Sequence, residues 1–324
     1  MISPARAAAP GKVILLGEHA VVYGQPALAV PVAGVQAVAT VTPPAGPQAA
    51  AGLWIEARAI GRRYRLEAAR PADPLALAAR LTLERCAPGA PPPAGTLTID
   101  STIPIASGLG SGAAVCTAAV RALAAALGRP LPPAEVSALV FQTETLLHGT
   151  PSGIDNTVIA YGQPVWFVKG QPPEPFTIAA PFQLLIADTG QPSPTRITVG
   201  DVRAAWQQAP ARWEAVFQAI GALVREARAL LAAPAAGGGL GRLGELLDRN
   251  HAHLRELGVS SPELEALTAA ARAAGALGAK LSGGGRGGNL IALVEAPAAD
   301  AVEAALLRAG AKRVLRTMVG AEAQ

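Results

Sequence analysis

The sequence contains only two cysteines, Cys86 and Cys116, and neither belongs to a Cys-x-x-Cys pair. Two isolated thiols cannot build a framework of disulfides, and the chain has no Cys/His spacing of the kind that holds structural zinc. We therefore expect both cysteines to be reduced and buried, and we expect no structural metal site.

Long apolar runs are also lacking. The most apolar helical candidate, residues 113–127, is interrupted by Arg121, whereas a transmembrane helix needs about 20 consecutive apolar residues. Residues 6–12 do not lead into the apolar stretch of a secretory signal. These absences predict a cytoplasmic protein that does not contact a membrane.

Aromatic residues make up only 4% of the chain, and the formal net charge is +4. Proteins that bind nucleic acid concentrate basic residues on one face and often add aromatic side chains on which bases stack. The basic residues of this chain are scattered, so the sequence argues against a nucleic-acid partner.

Lysine is the scarcest of the charged residue types. The 27 cationic residues include only Lys12, Lys169, Lys280 and Lys312 as lysines. An ammonium group is compact and fits against a phosphate or a carboxylate where the planar guanidinium of arginine does not. Lys12 and Lys280 adjoin glycine-rich runs, so these two lysines are the candidates for contact with a phosphate or a carboxylate.

The size and hydrophobicity of the chain predict more than one domain. With 324 residues, of which 51% are hydrophobic, the chain can bury a large core and exceeds the usual size of one domain. Residues 12–32 read as strand, polar turn and strand, and residues 199–231 read as one long helix. The Pro/Gly-rich segment 170–175 is the best candidate for a boundary.

A glycine-rich segment follows a predicted strand and leads directly into a predicted helix. Its residues are Pro104, Ile105, Ala106, Ser107, Gly108, Leu109, Gly110, Ser111, Gly112, Ala113 and Ala114. The start of a helix offers free backbone N–H groups and the positive end of the helix dipole, so the segment is a candidate phosphate cradle. An ordinary tight turn with a serine cap remains an alternative.

Two named nucleotide-binding patterns are excluded. Gly108, Gly110 and Ala113 fit G-x-G-x-x-A, but residues 128–130 stand where a Rossmann unit needs a strand that ends in an acidic residue. The chain also lacks the G-x-x-x-x-G-K-[ST] loop of P-loop enzymes.

Two further loops contain charged residues that are candidates for binding or catalysis. Residues 280–289 contain five glycines, with Lys280 and Arg286 as positive charges, although a flexible linker is an alternative. Residues 149–156 lead into a helix and include Asp155, a candidate base or cation partner. Glu144, eleven residues earlier, is a candidate Mg²⁺ ligand. An ordinary first-turn acid and a solvated helix face remain the alternatives for these two carboxylates.

Taken together, these segments resemble the GHMP kinase superfamily, and within it the mevalonate kinase family. The resemblance rests on residues 9–24, 148–156, 250–251, 257–260 and 280–283, which occur in the family's order and span nearly the whole chain. The element Glu-His-Ala-Val-Val-Tyr-Gly at residues 18–24 is the part most typical of mevalonate kinases.

The resemblance implies an α+β fold of two domains with the active site in the cleft between them. Residues 1–175 would form a domain like domain 2 of ribosomal protein S5, and residues 176–324 a ferredoxin-like domain. The implied reaction is ATP-dependent phosphorylation of the 5-hydroxyl of mevalonate to 5-phosphomevalonate, a step of isoprenoid biosynthesis. Mg²⁺ is the implied cofactor. The resemblance does not decide between a monomer and a homodimer.

The resemblance also implies roles for individual residues. Asp155 would accept the proton of the mevalonate hydroxyl, Lys12 would stabilise the carboxylate and the developing phosphate charge, and Glu144 with Ser111 would bind Mg²⁺. The residues on the mevalonate side would be Glu18, His19, Ser152 and Thr195. The loop that closes over phosphate would comprise Lys280, Ser282, Gly283, Gly284 and Gly285, and ATP would lie along residues 104–114.

One residue departs from the family pattern, since Gly112 stands where the family usually has a second serine. Ser111 or a water would replace the missing hydroxyl, because Mg²⁺ readily keeps several waters. The alternative is that position 112 requires glycine for a positive φ. Two other functions also remain open, namely another GHMP small-molecule kinase (a phosphomevalonate or sugar kinase) and a ligand sensor that has lost catalysis.

Overall fold

The computed structural model describes residues 2–44, 52–104, 107–149, 151–233 and 239–320. Backbone contacts divide the chain into two compact units, each built from separate stretches. The first unit comprises Met1–Gly11, Val35–Pro104 and Gly110–Gly162, and the second comprises Lys12–Gly34, Ile105–Leu109 and Gln163–Gln324. The boundary after residue 175 stays a prediction.

The first unit combines a sheet with four helices. Its strands come from β1 (Ala5–Leu16), β2 (Ala27–Thr42), β3 (Leu53–Ala57), β4 (Arg62–Arg65) and β5 (Gly95–Ser101). The order is β4-β3-β5-β2, in which β3 and β5 are parallel and the other pairs are antiparallel. The helices are α1 (Pro74–Cys86), α2 (Ser111–Ala126), α3 (Pro133–His148) and α4 (Ile154–Tyr161).

The second unit contains the early part of β2 and a four-stranded antiparallel sheet. Residues 27–29 of β2 pair with β6 (Val165–Phe167), which pairs with β7 (Glu174–Pro175). The larger sheet consists of β8 (Phe182–Asp188), β9 (Gly278–Ser282), β10 (Asn289–Val294) and β11 (Arg313–Val319), in the order β11-β8-β10-β9. Its helices are α5 (Thr195–Gln208), α6 (Pro210–Ala232), α7 (Gly239–Glu256), α8 (Pro262–Ala273) and α9 (Ala299–Arg308).

Two elements differ from the sequence-based expectation. The single helix expected over residues 199–231 is split, because Pro210 has no N–H to continue the helix and forces Ala209 out of the helical region, to φ −143°. Ala20–Tyr23, expected in a strand, forms a turn of 3₁₀ helix. Cys116 is buried as expected, whereas Cys86 is only partly buried.

Among the helices that the structure describes, none combines the length and the apolarity needed to cross a bilayer. The apolar helix α2 instead packs against α1 and α3 within the first unit.

Helix α7 lies directly on strand β9 through a pair of glycines. A Cβ added to Gly244 would lie 2.5 Å from the carbonyl carbon of Leu277, and one added to Gly278 would lie 2.5 Å from the Cα of Gly244. Neither glycine has a positive φ. The two glycines are therefore required by the close approach of the backbones rather than by their own conformation.

Gly244→Ala should destabilise the protein, although alanine is normally better than glycine inside a helix by about 0.5–1 kcal/mol. The added methyl group overlaps the backbone of Leu277, the residue before β9, and overpacking of this kind costs about 1–3 kcal/mol. Gly241→Ala in the same helix is the matched control, because its added Cβ meets open space. Denaturant titration of both variants checks the prediction, and equal stability changes would contradict it.

Candidate active site

The start of helix α2 presents backbone N–H groups in the first unit. Gly110 precedes the helix with φ 73°, in the left-handed region that favours glycine. The first helical hydrogen bond runs from the N–H of Ala114 to the carbonyl of Gly110, at 2.9 Å. The N–H groups of Ser111, Gly112 and Ala113 therefore lie outside the helical ladder, as in an anion-binding helix start.

A buried carboxylate lies beside this helix start. Glu144, on α3, is 5% exposed, and its Oε1 is 3.4 Å from the position that a Cβ on Gly112 would take. Gly112 lies within the helix without a positive φ. The structure therefore contradicts the explanation that position 112 needs glycine for its backbone angles.

Helix α4 carries Asp155 in its first turn. Gly153 caps the helix with φ 92°, and the Ser152 hydroxyl accepts a hydrogen bond from the N–H of Ile154 at 3.3 Å. The next residue, Asn156, donates to the Ser137 hydroxyl on α3 at 2.9 Å. These contacts hold the start of α4, where the partly buried residue Asp155 lies at the positive end of the helix.

In the second unit, hydrogen bonds attach the segment around Ser107 to two strands. The N–H of Lys12, a buried residue of β1, donates to the carbonyl of Leu109 at 3.0 Å. The amide of Asn289, at the start of β10, donates to the carbonyl of Ser107. This part of the predicted ATP segment is therefore held by the strand that carries Lys12.

Ser282 joins the end of β9 to β1. Its hydroxyl accepts from the N–H of Ile14 at 3.0 Å and donates to the carbonyl of the same residue at 2.9 Å. A threonine or serine hydroxyl can make both bonds, whereas an apolar side chain can make neither. Ser282 therefore fixes the beginning of the glycine-rich loop.

The glycine-rich loop lies beside the start of α5. The hydroxyl of Ser193 donates to the carbonyl of Gly285 at 2.9 Å. A Cβ on Gly284 would lie 2.9 Å from the Cβ of the exposed residue Thr195, so position 284 has no room for a side chain. The loop can therefore lie this close to α5 only because position 284 carries no side chain.

Glu18 and Lys280 form an ion pair inside the second unit. Glu18 is 1% exposed and Lys280 is 0% exposed. Glu18 Oε1 accepts from the Lys280 ammonium, and Oε2 accepts from the side-chain amide of Asn250 at 3.2 Å. The ammonium also donates to the carbonyl of Leu281 at 2.5 Å. Burial lowers the pKa of Lys280, and the attraction of Glu18 opposes that shift.

The imidazole of His19 is also buried and makes one directed contact. Its Nε2 lies 3.1 Å from the carbonyl of Gly284, so Nε2 carries the proton and donates. Burial lowers the pKa of His19 to about 4, and the hydrogen bond to Gly284 opposes the shift. The ring is therefore neutral at physiological pH.

The residues predicted from the sequence fall into two groups. The first unit contains Pro104, Gly110, Ser111, Gly112, Ala113, Ala114, Glu144, Ser152 and Asp155. The second contains Lys12, Glu18, His19, Ser107, Gly108, Leu109, Thr195, Lys280, Ser282, Gly283, Gly284 and Gly285. Ile105 and Ala106 lie outside the described residues.

Sequence reasoning assigned no role to three polar residues, namely Asn250, Asn289 and Ser193. A signal existed for Asn250, because it occupies the buried face of α7 that Leu243, Leu247 and Leu254 otherwise fill. An amide at such a position needs a polar partner inside the protein.

The sequence matches two protein-family models and is similar to known mevalonate kinases. Residues 74–163 match the family model described as GHMP kinases N terminal domain, and residues 221–312 match the one described as GHMP kinases C terminal. Mevalonate kinase of Pyrococcus horikoshii is 32% identical over 98% of this chain and 96% of its own length. Mevalonate kinase of Thermococcus sibiricus is 34% identical over 89% of this chain and 88% of its own length.

The fold of this chain also resembles that of a solved mevalonate kinase structure. The crystal structure of L. major mevalonate kinase in complex with R-mevalonate superposes with a TM-score of 0.83 and 29% sequence identity. The match covers 100% of both chains.

The buried His19 should make stability depend on pH. Because its folded pKa lies below the ordinary value of 6.5, the unfolded chain binds a proton between about pH 6.5 and pH 4 that the folded chain does not. The free energy of unfolding should therefore fall as the pH is lowered through this window, by at most about 1.4 kcal/mol per pH unit from His19.

His19→Gln tests this expectation, because glutamine keeps an N–H donor but does not titrate. Denaturant titrations at pH 7, 6 and 5 should show a smaller loss of stability in the variant than in the wild type. Parallel losses would show that His19 does not contribute.

Proposed function

The chain belongs to the GHMP kinase family, and on this premise we propose that it transfers a phosphoryl group from ATP to the 5-hydroxyl of mevalonate. The product is 5-phosphomevalonate, which places the reaction in isoprenoid biosynthesis. The observation that carries the proposal is the identity of 32% over nearly the full length with a mevalonate kinase. The Glu-His-Ala-Val-Val-Tyr-Gly element at residues 18–24 supports the same acceptor.

ATP is the co-substrate of kinases in this family, and we assign its phosphates to residues 104–114. The N–H groups at the start of α2 point out of the helical ladder, and the helix dipole adds partial positive charge there. Phosphoryl transfer depends mainly on positioning and on neutralising phosphate charge. A rigid set of N–H donors both positions the phosphates and neutralises part of their charge.

The residues near the start of α2 fit Mg²⁺ as a cofactor. Among the described residues, no group of three or more His, Cys, Asp or Glu side chains could hold a metal by itself. Mg²⁺ in kinases is instead held by one or two carboxylates together with substrate phosphates and waters. The carboxylate of Glu144 and the hydroxyl of Ser111 would complete such a set. Bound Mg²⁺ would neutralise charge on the ATP phosphates.

Asp155 is the proposed proton acceptor, and Lys12 the proposed cation for the transferring phosphate. A carboxylate suits the first role because the hydroxyl proton needs to leave only as the new O–P bond forms. The compact ammonium of Lys12 suits the second. Ser152, in the loop before Asp155, and Thr195, beside the glycine-rich loop, are the proposed polar contacts for mevalonate.

An acceptor screen tests the proposal directly. ADP release would be followed with ATP, Mg²⁺ and each of mevalonate, phosphomevalonate, galactose and homoserine. Turnover with mevalonate well above the other acceptors is expected. Preference for another alcohol would assign the chain to a different GHMP kinase, and the absence of turnover with all four would reject the mevalonate assignment.

Asp155→Asn should lower kcat by about 10²–10⁴-fold, because asparagine keeps the shape of the side chain but cannot accept the proton. Binding of ATP, measured by calorimetry, should change little. Asp300→Asn is the matched control, since Asp300 is also the first-turn acid of a helix, α9. A kcat above about a third of the wild-type value would remove Asp155 from the role of base.

Glu144→Gln should raise the Mg²⁺ concentration that gives half-maximal rate, because it removes a charged ligand. Gly112→Ser should fold normally, since the new Cβ would lie 3.4 Å from Glu144 Oε1 and 3.7 Å from Leu147 Cδ1. Its hydroxyl adds an oxygen beside Glu144, so its Mg²⁺ requirement should be equal to or below that of the wild type. Thermal melts control for folding. An unchanged requirement in Glu144→Gln would separate Glu144 from the metal.

A further inference from the structure

His19 lies at the centre of a strained turn. Its φ is 60° and its ψ is −51°, and the N–H of Ala20 donates to the carbonyl of Glu18 at 2.6 Å. This is a γ-turn with positive φ, a rare and strained conformation. Within the described parts of the chain, only His19 and Arg286 have a positive φ without being glycine. Such strain persists where the surrounding structure holds it.

Side chains on both sides of the turn hold it in place. Before the turn, the Glu18 carboxylate is bound by Lys280 and Asn250. At its centre, the His19 ring donates to the carbonyl of Gly284. The contacts come from β9, α7 and the glycine-rich loop, so three separate elements fix one three-residue turn.

Glu18 and Lys280 bind each other and other groups of the same chain. Both carboxylate oxygens of Glu18 are occupied by partners from this chain, and the Lys280 ammonium bonds to Glu18 and to the Leu281 carbonyl. Both side chains are almost completely buried. A buried charge that loses its partner is strongly destabilising, whereas replacing both partners by neutral groups is often tolerated. Each residue therefore depends on the other.

We infer that Lys280 is a positioning residue, which holds the His19 turn in the geometry needed for mevalonate through its ion pair with Glu18. The inference rests on the proposed function. It differs from the expectation that Lys280 contacts phosphate, because the ammonium already bonds to a carboxylate and a carbonyl inside the second unit.

The two roles predict different kinetics. A phosphate ligand acts on ATP, so Lys280→Met would raise the KM for ATP whether or not Glu18 is charged. A positioning residue acts through Glu18, so the effect of Lys280→Met falls on mevalonate and depends on the charge of Glu18.

A double-mutant cycle separates these roles. Lys280→Met and Glu18→Gln should each lower kcat/KM for mevalonate by about tenfold or more, with a much smaller change in the KM for ATP. The double variant should lose no more than the worse of the two single variants, because both substitutions break the same ion pair. Lys169→Met is the matched control, since Lys169 is exposed.

Hydrogen–deuterium exchange gives a readout that needs no substrate. Peptides covering residues 17–24 should exchange faster in Lys280→Met than in the wild type or Lys169→Met, while peptides from β3 and β5 should be unchanged. If Lys280→Met does not fold, Asn250→Ala replaces it, because it removes one contact to Glu18 and keeps the ion pair.

The inference is overturned by any of four results, of which three come from exchange and kinetics. These are unchanged exchange in residues 17–24, additive effects in the cycle, and an equal rise in the KM for ATP in both Glu18 backgrounds. Loss of thermal stability with unchanged kinetic constants for the folded enzyme would also overturn it. If the wild type does not phosphorylate mevalonate, the proposed function fails, and the exchange measurement still decides whether Lys280 anchors the turn.

Discussion

The ion pair between Glu18 and Lys280 is withdrawn from water, and polar groups of the second unit make that burial tolerable. Two desolvated charges stabilise a fold only if their geometry is good and their remaining hydrogen-bonding capacity is met. Asn250 supplies one missing bond and the Leu281 carbonyl another. Asn250 reaches Glu18 from α7, a helix that packs on β9 at the bare backbones of Gly244 and Gly278. The packing of these glycines and the electrostatics of the site are thus parts of one arrangement.

The sequence predicted the family, the α+β class and most elements, because these depend on local patterns. Apolar periodicity and flanking Gly or Pro residues reveal helices such as α1 and α8, and the glycine-rich loops resemble the GHMP kinases in composition and order. The comparisons confirm the family and the fold class. The split between α5 and α6 was missed although Pro210 marks it, since the surrounding apolar pattern continues across the break.

The pairings inside the site could not be predicted from spacing. Glu18 and Lys280 are 262 positions apart, and sequence distance carries no information about such a contact. The turn at His19 was hidden for another reason, because a positive φ is uncommon at any residue other than glycine and a single histidine does not signal it. Glycines are equally ambiguous in sequence. Gly110 needs its left-handed backbone, Gly244 needs the absence of a side chain, and Gly112 needs neither.

The scarcity of lysine has a practical consequence once burial is known. Lys12 and Lys280 are 4% and 0% exposed, whereas Lys169 and Lys312 are exposed on the surface. Reagents that acylate side-chain amines need access to the nitrogen, so they react first at the two exposed lysines. Both lie outside the residues assigned to ATP, Mg²⁺ and mevalonate. A fluorophore or a solid support coupled through lysine would therefore attach at Lys169 or Lys312 and leave the residues of the candidate site unmodified.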